Sequence, residues 1–212
     1  MTSLAQMNSL NSFDKIFEFE QALAEFTGAP YVIMTDCCTH AIELCLRHDK
    51  VSTCTFTPYT YLSIPMTMHK LGIAYSYHGD NAAHKQHWVG EYKFENTRIW
   101  DSARRLEKDM YRMGMVQCLS FGHDKPLQIG RGGAILLDDK AAYDALILMR
   151  YDGRDLNKRP WTEQKQFRVG YHYKPTPEEA EWGLALLEGI KFDNPKPKQM
   201  NYSDLRQFTI TE

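Results

Sequence analysis

The chain has 212 residues, 43% of them hydrophobic and 25% charged, with a formal net charge of −2 at pH 7. That length supports one substantial domain and perhaps a small appendage, and the composition is ordinary for a globular protein. With no basic block and no long apolar run, neither nucleic acid, an anionic membrane surface nor a bilayer span is expected. The five cysteines (37, 38, 45, 54 and 118) form no CxxC pair and no His/Cys ligand spacing. Reduced thiols in a cytoplasmic protein are therefore expected, with neither a disulfide framework nor a metal site. Residues 1–12 are polar and small, without the basic and apolar regions of a signal peptide.

Helical and strand patterns alternate along the chain, which predicts an α/β layered domain. Residues 13–26 carry Phe17, Phe19, Ala22, Leu23 and Phe26 among glutamates, a helix ended by Gly28. Residues 31–34 read as a strand, 39–47 as a helix with a broad apolar face, and 51–56 as a strand. A helix is predicted over 59–71, kinked or started late by Pro65. Residues 73–77 form another strand, and 81–96 carry no clear period. Short strands follow at 98–100, 115–121 and 134–137, then a helix at 140–150 that ends near Gly153. Residues 154–170 are charged and loop-like. Thr176-Pro177-Glu178-Glu179 is a strong helix start, with Thr as cap, Pro at the first helical position and Glu at the capping-box position. The helix runs to about residue 190, and the Lys/Pro-rich tail after it is expected to be poorly ordered or partner-dependent.

Several polar groups fall just after predicted strands: Asp36 to Thr39, Asp101, and the run Ser120-Phe121-Gly122-His123-Asp124-Lys125. In open α/β sheets ligand sites gather at the carboxyl ends of strands, so these groups are expected to converge. Lys125 sits between a strand and the turn Gly130-Arg131-Gly132-Gly133, a setting suited to Schiff-base chemistry. Such a lysine must react as the neutral amine, so partial burial and nearby positive charge are expected around it. Ser120 and the glycines can serve a phosphate, as can the start of the helix near Thr39. Taken singly, each has a plainer reading: Thr39 as a helix cap, Asp101 as a turn residue, Tyr61 as a packed ring, Lys125 as a surface charge.

Together and in order, these segments resemble the DegT/DnrJ/EryC1/StrS family of sugar aminotransferases, which depend on pyridoxal 5'-phosphate (PLP) and share the aspartate aminotransferase fold (type I). Cys37-Cys38-Thr39-His40-Ala41-Ile42 stands where the family has Ser-Gly-Thr-Ala-Ala-Leu, and Tyr59-Thr60-Tyr61 is similar to its Tyr-Thr-aromatic segment. Asp101-Ser102-Ala103-Arg104 is similar to Asp-Ala-Ala-(Gln/His). Ser120-Phe121 through Lys125 to Gly130-Arg131-Gly132-Gly133 keeps the spacing Ser-Phe-x-x-x-Lys-x-x-x-x-Gly-x-Gly-Gly. Val169-Gly170-Tyr171-His172-Tyr173-Lys174 is similar to Val-Gly-Tyr-Asn-Tyr-Arg.

The resemblance implies a large domain over residues 1–175 with a mixed, mostly parallel sheet flanked by helices. Residues 176–212 would be the remnant of a small C-terminal domain. It implies Lys125 as the Schiff-base lysine and proton shuttle, Asp101 against the pyridine nitrogen, and Tyr61 stacked on the ring. Ser120, Thr39 and the backbone at Cys38 would hold the phosphate, and His172 would reach the cofactor of a neighbouring subunit, which implies a homodimer. The implied activity moves an amino group from an amino acid, with glutamate as expected donor, to a nucleotide-linked keto sugar. Four positions depart from the pattern: Cys38 for glycine, Arg104 for Gln/His, Arg131 for an acidic residue and His172 for asparagine. A shortened protein of this fold that binds cofactor or sugar without transamination is the alternative. Sugar dehydration is a weaker one, because that branch has histidine in place of the lysine.

Overall fold

The structure, a computed structural model, describes residues 4–79, 90–156, 158, 160–190 and 202–211, with side chains described from residue 13. The readings of residues 81–89 and 191–201 lie outside these. Helix α1 (Leu4–Thr27) starts well before the predicted 13–26 and stops at Gly28, whose φ of 76° lets the chain turn away at no steric cost. Strand β1 (Tyr31–Thr35), helix α2 (Cys38–His48) and strand β2 (Thr53–Phe56) follow. Helix α3 (Ser63–Leu71) starts late, as Pro65 requires: in the first turn its missing N–H breaks no helical bond. Then come β3 (Ala74–Tyr77), β4 (Tyr92–Lys93), β5 (Ile99–Asp101), β6 (Val116–Ser120), β7 (Gly133–Leu137), α4 (Lys140–Met149) and α5 (Pro177–Gly189).

Five strands form one sheet in the order β1-β7-β6-β5-β4, and β2 and β3 pair separately. A backbone bond from Glu95 N–H to the Thr55 carbonyl (2.9 Å) links the β4 side of the large sheet to β2. The sheet is mixed, as expected, but parallel pairing is confined to β5–β6 and β2–β3, while β1–β7, β6–β7 and β4–β5 are antiparallel. The reason is local: β6 to β7 and β4 to β5 are joined without a crossover helix, and a direct return makes neighbours antiparallel.

Both faces of the sheet are covered. Along β1, β6 and β7 successive residues alternate between two cores. Ile33, Cys118, Ile135 and Leu137 face α2, α3 and α4 with Ile42, Leu44, Phe56, Met68 and Leu146. Met34, Leu119 and Leu136 face α1 and α5 with Phe19, Leu23, Ala180 and Leu187. The capping box of α5 is present as expected: Glu179 N–H donates to Thr176 Oγ1 (3.2 Å), and Thr176 N–H donates to Glu179 Oε2 (2.8 Å). At the end of α4, the fully buried Arg150 guanidinium pairs with Glu20 of α1 and donates to the Met34 carbonyl of β1 at 2.8 Å. Burial pushes the Glu20 carboxyl up, and Arg150 only partly offsets that. The pair pins three elements, and removing one partner would strand a buried charge.

The glycines before β7 serve packing. A Cβ on Gly133 would run into the backbone of Cys37 and Cys38, so α2 begins in direct contact with the first residue of β7. A Cβ on Gly132 (φ 111°) would lie 3.2 Å from the Phe121 ring. Gly133→Ala should therefore cost about 1–3 kcal/mol, as overpacking does, read as a lower denaturant midpoint at unchanged slope. An unchanged midpoint would mean that α2 does not rest on β7.

Candidate functional site

Strand register brings the predicted groups to one edge. Asp101 ends β5 opposite Cys118 of β6, Ser120 ends β6 opposite Gly133, and Gly133 stands opposite Thr35, the end of β1. The start of α2 lies against the same glycine. Among the described residues, then, Asp101, Ser120, Cys38 and Thr39 share the rim formed by these strand ends, and Lys125 hangs over it from the turn after β6.

Lys125 closes that turn with its N–H on the Gly122 carbonyl (3.2 Å), and its side chain is 12% exposed. The partial burial is as expected; the charge around it is not. The nearest charged partner is a carboxylate, Asp124 Oδ1 at 3.3 Å from Nζ. A cation does lie close by: Arg104 binds the other oxygen of that carboxylate through Nη1 at 2.7 Å. Asp124 thus bridges the two. Arg104 Nε is buried without a hydrogen-bond partner among the described residues.

Asp101 is buried, at 7% exposure. Burial pushes its carboxyl above the usual range; a hydrogen bond from Ala103 N–H to Oδ1 (2.9 Å), one from Tyr92 O–H to Oδ2 (2.9 Å) and the charge of Lys125 pull the other way. A buried acid facing a lysine suits a ligand that brings a cationic ring nitrogen. The unmet Arg104 Nε suits an anionic oxygen. The donor set therefore fits PLP, the cofactor that the resemblance implies.

The start of α2 differs from the expected arrangement. Thr39 is not the cap: Cys37 is, with its sulfur accepting from His40 N–H (3.4 Å), and Thr39 Oγ1 instead shares a hydrogen bond with Ser63 Oγ of α3 (2.8 Å). Cys38 is buried, its thiol on the Cys118 carbonyl at 3.7 Å, and burial holds that thiol far above its ordinary value. The Asp36 carboxylate is neutralised from two sides. Arg131 Nη2 reaches Oδ2 at 3.1 Å and His40 Nδ1 reaches Oδ1 at 2.7 Å, while the His40 ring stacks on Tyr173 with centroids 3.7 Å apart. Asp36, Cys37 and His40 hold potential metal-ligand atoms within 4.8 Å of one another, but Arg131 already sits on that carboxylate.

Two predicted residues do not join the cluster. Tyr61 is 62% exposed at the entrance to α3, and no described contact links it to Lys125 or Asp101. His172 is largely exposed and bonds Asp152 (3.0 Å) beside Tyr151. Conversely, two tyrosines at the site were not anticipated. Tyr92 reaches Asp101 from β4, inside the stretch without a legible period. Tyr202 comes from the chain end, where it bonds Arg104 and feels Asp101 and Asp124, and burial raises its hydroxyl. That end, expected to be poorly ordered, is held by Leu205 N–H on the Pro58 carbonyl (3.0 Å) and by Leu205, which is buried.

The Asp36 pair yields a pH prediction. Although burial opposes it, the Asp36 carboxylate and Cys37 push His40 up to about 9. A folded value above the unfolded one of about 6.5 means stability fully present below about pH 6.5 and lost as pH rises through about 9. Discounted for partial exposure, the pair should contribute on the order of 1–2 kcal/mol at pH 6. In urea unfolding, His40→Gln should trail the unsubstituted protein by that amount at pH 6 and match it near pH 10. A gap that does not close with pH would contradict the pair.

Three solved structures illustrate the fold. AtS13 from Actinomadura melliaura aligns with a TM-score of 0.68 at 21% identity, over 82% of this chain and 59% of that one. A sugar aminotransferase from Micromonospora echinospora aligns at 0.65 and 17%, over 82% and 60%. PseC, a Helicobacter pylori aminotransferase of pseudoaminic acid biosynthesis, aligns at 0.68 and 16%, over 82% and 57%. The chain thus spans less than two thirds of the length of these structures. A search of curated protein sequences finds no significant match. The family profile described as DegT/DnrJ/EryC1/StrS aminotransferase matches residues 1–77 and 101–204, leaving 78–100, with β4, outside the match. With Lys125, Asp101 and the α2 start all inside the matched stretches, the chain belongs to the DegT/DnrJ/EryC1/StrS aminotransferase family.

Proposed function

We propose that this protein is a PLP-dependent aminotransferase that moves an amino group from an amino acid, with glutamate as donor, to a nucleotide-linked keto sugar. What carries the reading is a mostly buried lysine, in the turn after β6, whose charge acts on a buried aspartate at the end of β5, in a chain of this family. PLP, when bound, supplies an aldehyde for amines and a ring that accepts electron density.

The other parts would fall to the chain's own side chains and backbone. Lys125 Nζ would be the anchor amine and the base that carries a proton to and from the donor's α-carbon. Asp101 would hold a proton on the ring nitrogen. Ser120, Thr39 and the α2 backbone at Cys38 receive the phosphate, whose charge the helix start favours. Arg104, sharing Asp124, would meet an anionic oxygen, and Tyr61 would have to turn inward from the entrance to α3 to cover the ring.

The exposure of His172 supports the reading that it serves a second copy of the chain, with the site shared in a homodimer. Among the described residues no helix is long and apolar enough to cross a membrane, and a cytoplasmic setting accords with the nucleotide-sugar substrate. Residues 1–175 would form the cofactor-binding domain, and 176–212 a C-terminal helix and tail.

Purified protein with added PLP should develop an absorbance band at the violet edge of the visible that glutamate bleaches, and Lys125→Ala should show none. A band equally strong in Lys125→Ala would refute the anchor. A band that no amino donor bleaches would leave a cofactor-binding protein without transamination.

A further inference from the structure

The stretch between the two family-matched segments reaches the site through β4, and it does so at the residue on which the cofactor reading depends. Gly90 accepts Arg104 N–H through its carbonyl (3.1 Å). The buried Glu91 accepts from Ser102 Oγ (2.9 Å), Arg105 Nη1 (2.5 Å) and Gln117 Nε2 (3.1 Å). Between these anchors and the β5 pairing of Tyr92 with Asp101, the phenol of Tyr92 donates to Asp101 Oδ2 at 2.9 Å. Its oxygen also lies 2.6 Å from Thr60 Oγ1, on the loop before α3.

The protons in this chain have one arrangement when Asp101 is ionised. A carboxylate only accepts, so the single Tyr92 proton goes to Asp101, and Thr60 must donate to Tyr92. The Ala103 N–H fixes the other oxygen. With one donor on each oxygen the carboxylate plane is set, and each oxygen keeps a lone pair for a ligand. We propose that Tyr92, oriented by Thr60, is a positioning residue that aims the Asp101 carboxylate at the cofactor's ring nitrogen and keeps it ionised. The inference rests on the PLP reading above and adds to it a residue from outside the family-matched segments.

The groups facing Asp101 are Tyr92 from β4, Cys118 from β6, Cys38 from α2, Lys125 from the turn after β6 and Tyr202 from the chain end. Of these, Tyr92 and Lys125 favour the ionised form, and only Tyr92 does so through a hydrogen bond. Loss of the phenol donor therefore lets the buried carboxyl take up a proton at higher pH. Tyr92→Phe should bind PLP roughly tenfold more weakly near pH 7, in line with one hydrogen bond to a charged group. The deficit should widen as pH falls, because the variant loses its anion first.

The experiment is a PLP titration read by absorbance, from pH 6 to 9, on the unsubstituted protein, Tyr92→Phe, Asp101→Asn and the double variant. Support is a Tyr92→Phe deficit that grows toward low pH and disappears in the Asp101→Asn background. A deficit equal at every pH, or one that persists when a neutral amide replaces the Asp101 carboxylate, would overturn the proposal, since a merely structural tyrosine would behave that way. Should Tyr92→Phe not fold, Thr60→Val leaves the ring packed and removes only the orienting hydroxyl. It should shift affinity in the same direction, and unchanged affinity across the pH range would overturn the proposal. Failure of the unsubstituted protein to bind PLP at all would instead strike the reading on which the inference rests.

Discussion

The contact of α2 with Gly133 is the constraint on which the rest of the site depends. Because no Cβ fits between the first residue of β7 and the backbone of Cys37 and Cys38, the helix can begin directly on the sheet rim. Its free N–H groups and positive dipole end then lie beside the ends of β1 and β6. The same approach leaves Cys38 buried and neutral, and it brings Asp36 within reach of Arg131 and His40. With Arg131 and His40 on it, the Asp36 carboxylate no longer opposes an anion at the start of α2.

Electrostatics at the rim follow from burial. Asp101 pays for its seat in the core with a raised carboxyl, and what keeps it useful as an anion is a short list of partners: Ala103, Tyr92 and Lys125. Lys125 in turn shares Asp124 with Arg104, so a ligand carboxylate or phosphate that engaged Arg104 would loosen the clamp on the lysine. The site is a set of charges held in near balance until a ligand with one cationic and one anionic end enters.

Most of the fold was legible because strong local signals agreed with the global answer. The amphipathic run before Gly28, the capping box at Thr176 and the apolar strands at 116–120 and 133–137 each carry several residues of pattern. Asp101, Ser120 and Lys125 were legible from their places after strands together with the family spacing. What escaped has a physical reason in each case. Strand β4 is two residues long, too short for any period, so Tyr92 gave no sign of its partner. The α2 cap escaped because a cysteine sulfur stands outside the usual oxygen-bearing cap residues. Tyr202 reaches Arg104 across about half the chain, a distance over which no local pattern informs. The mostly parallel sheet that the resemblance implied does not extend to β7, which a glycine-rich return without a helix makes antiparallel to β6.

The central claim is that Lys125, and no other amine of this chain, is the anchor for PLP. Borohydride reduction of the PLP-treated protein followed by peptide mapping by mass spectrometry tests it most directly. The account predicts the pyridoxyl-phosphate mass increment on the peptide containing Lys125 and its loss in Lys125→Ala. An increment found on a different lysine, or scattered over surface lysines with Lys125 unmodified, would contradict it.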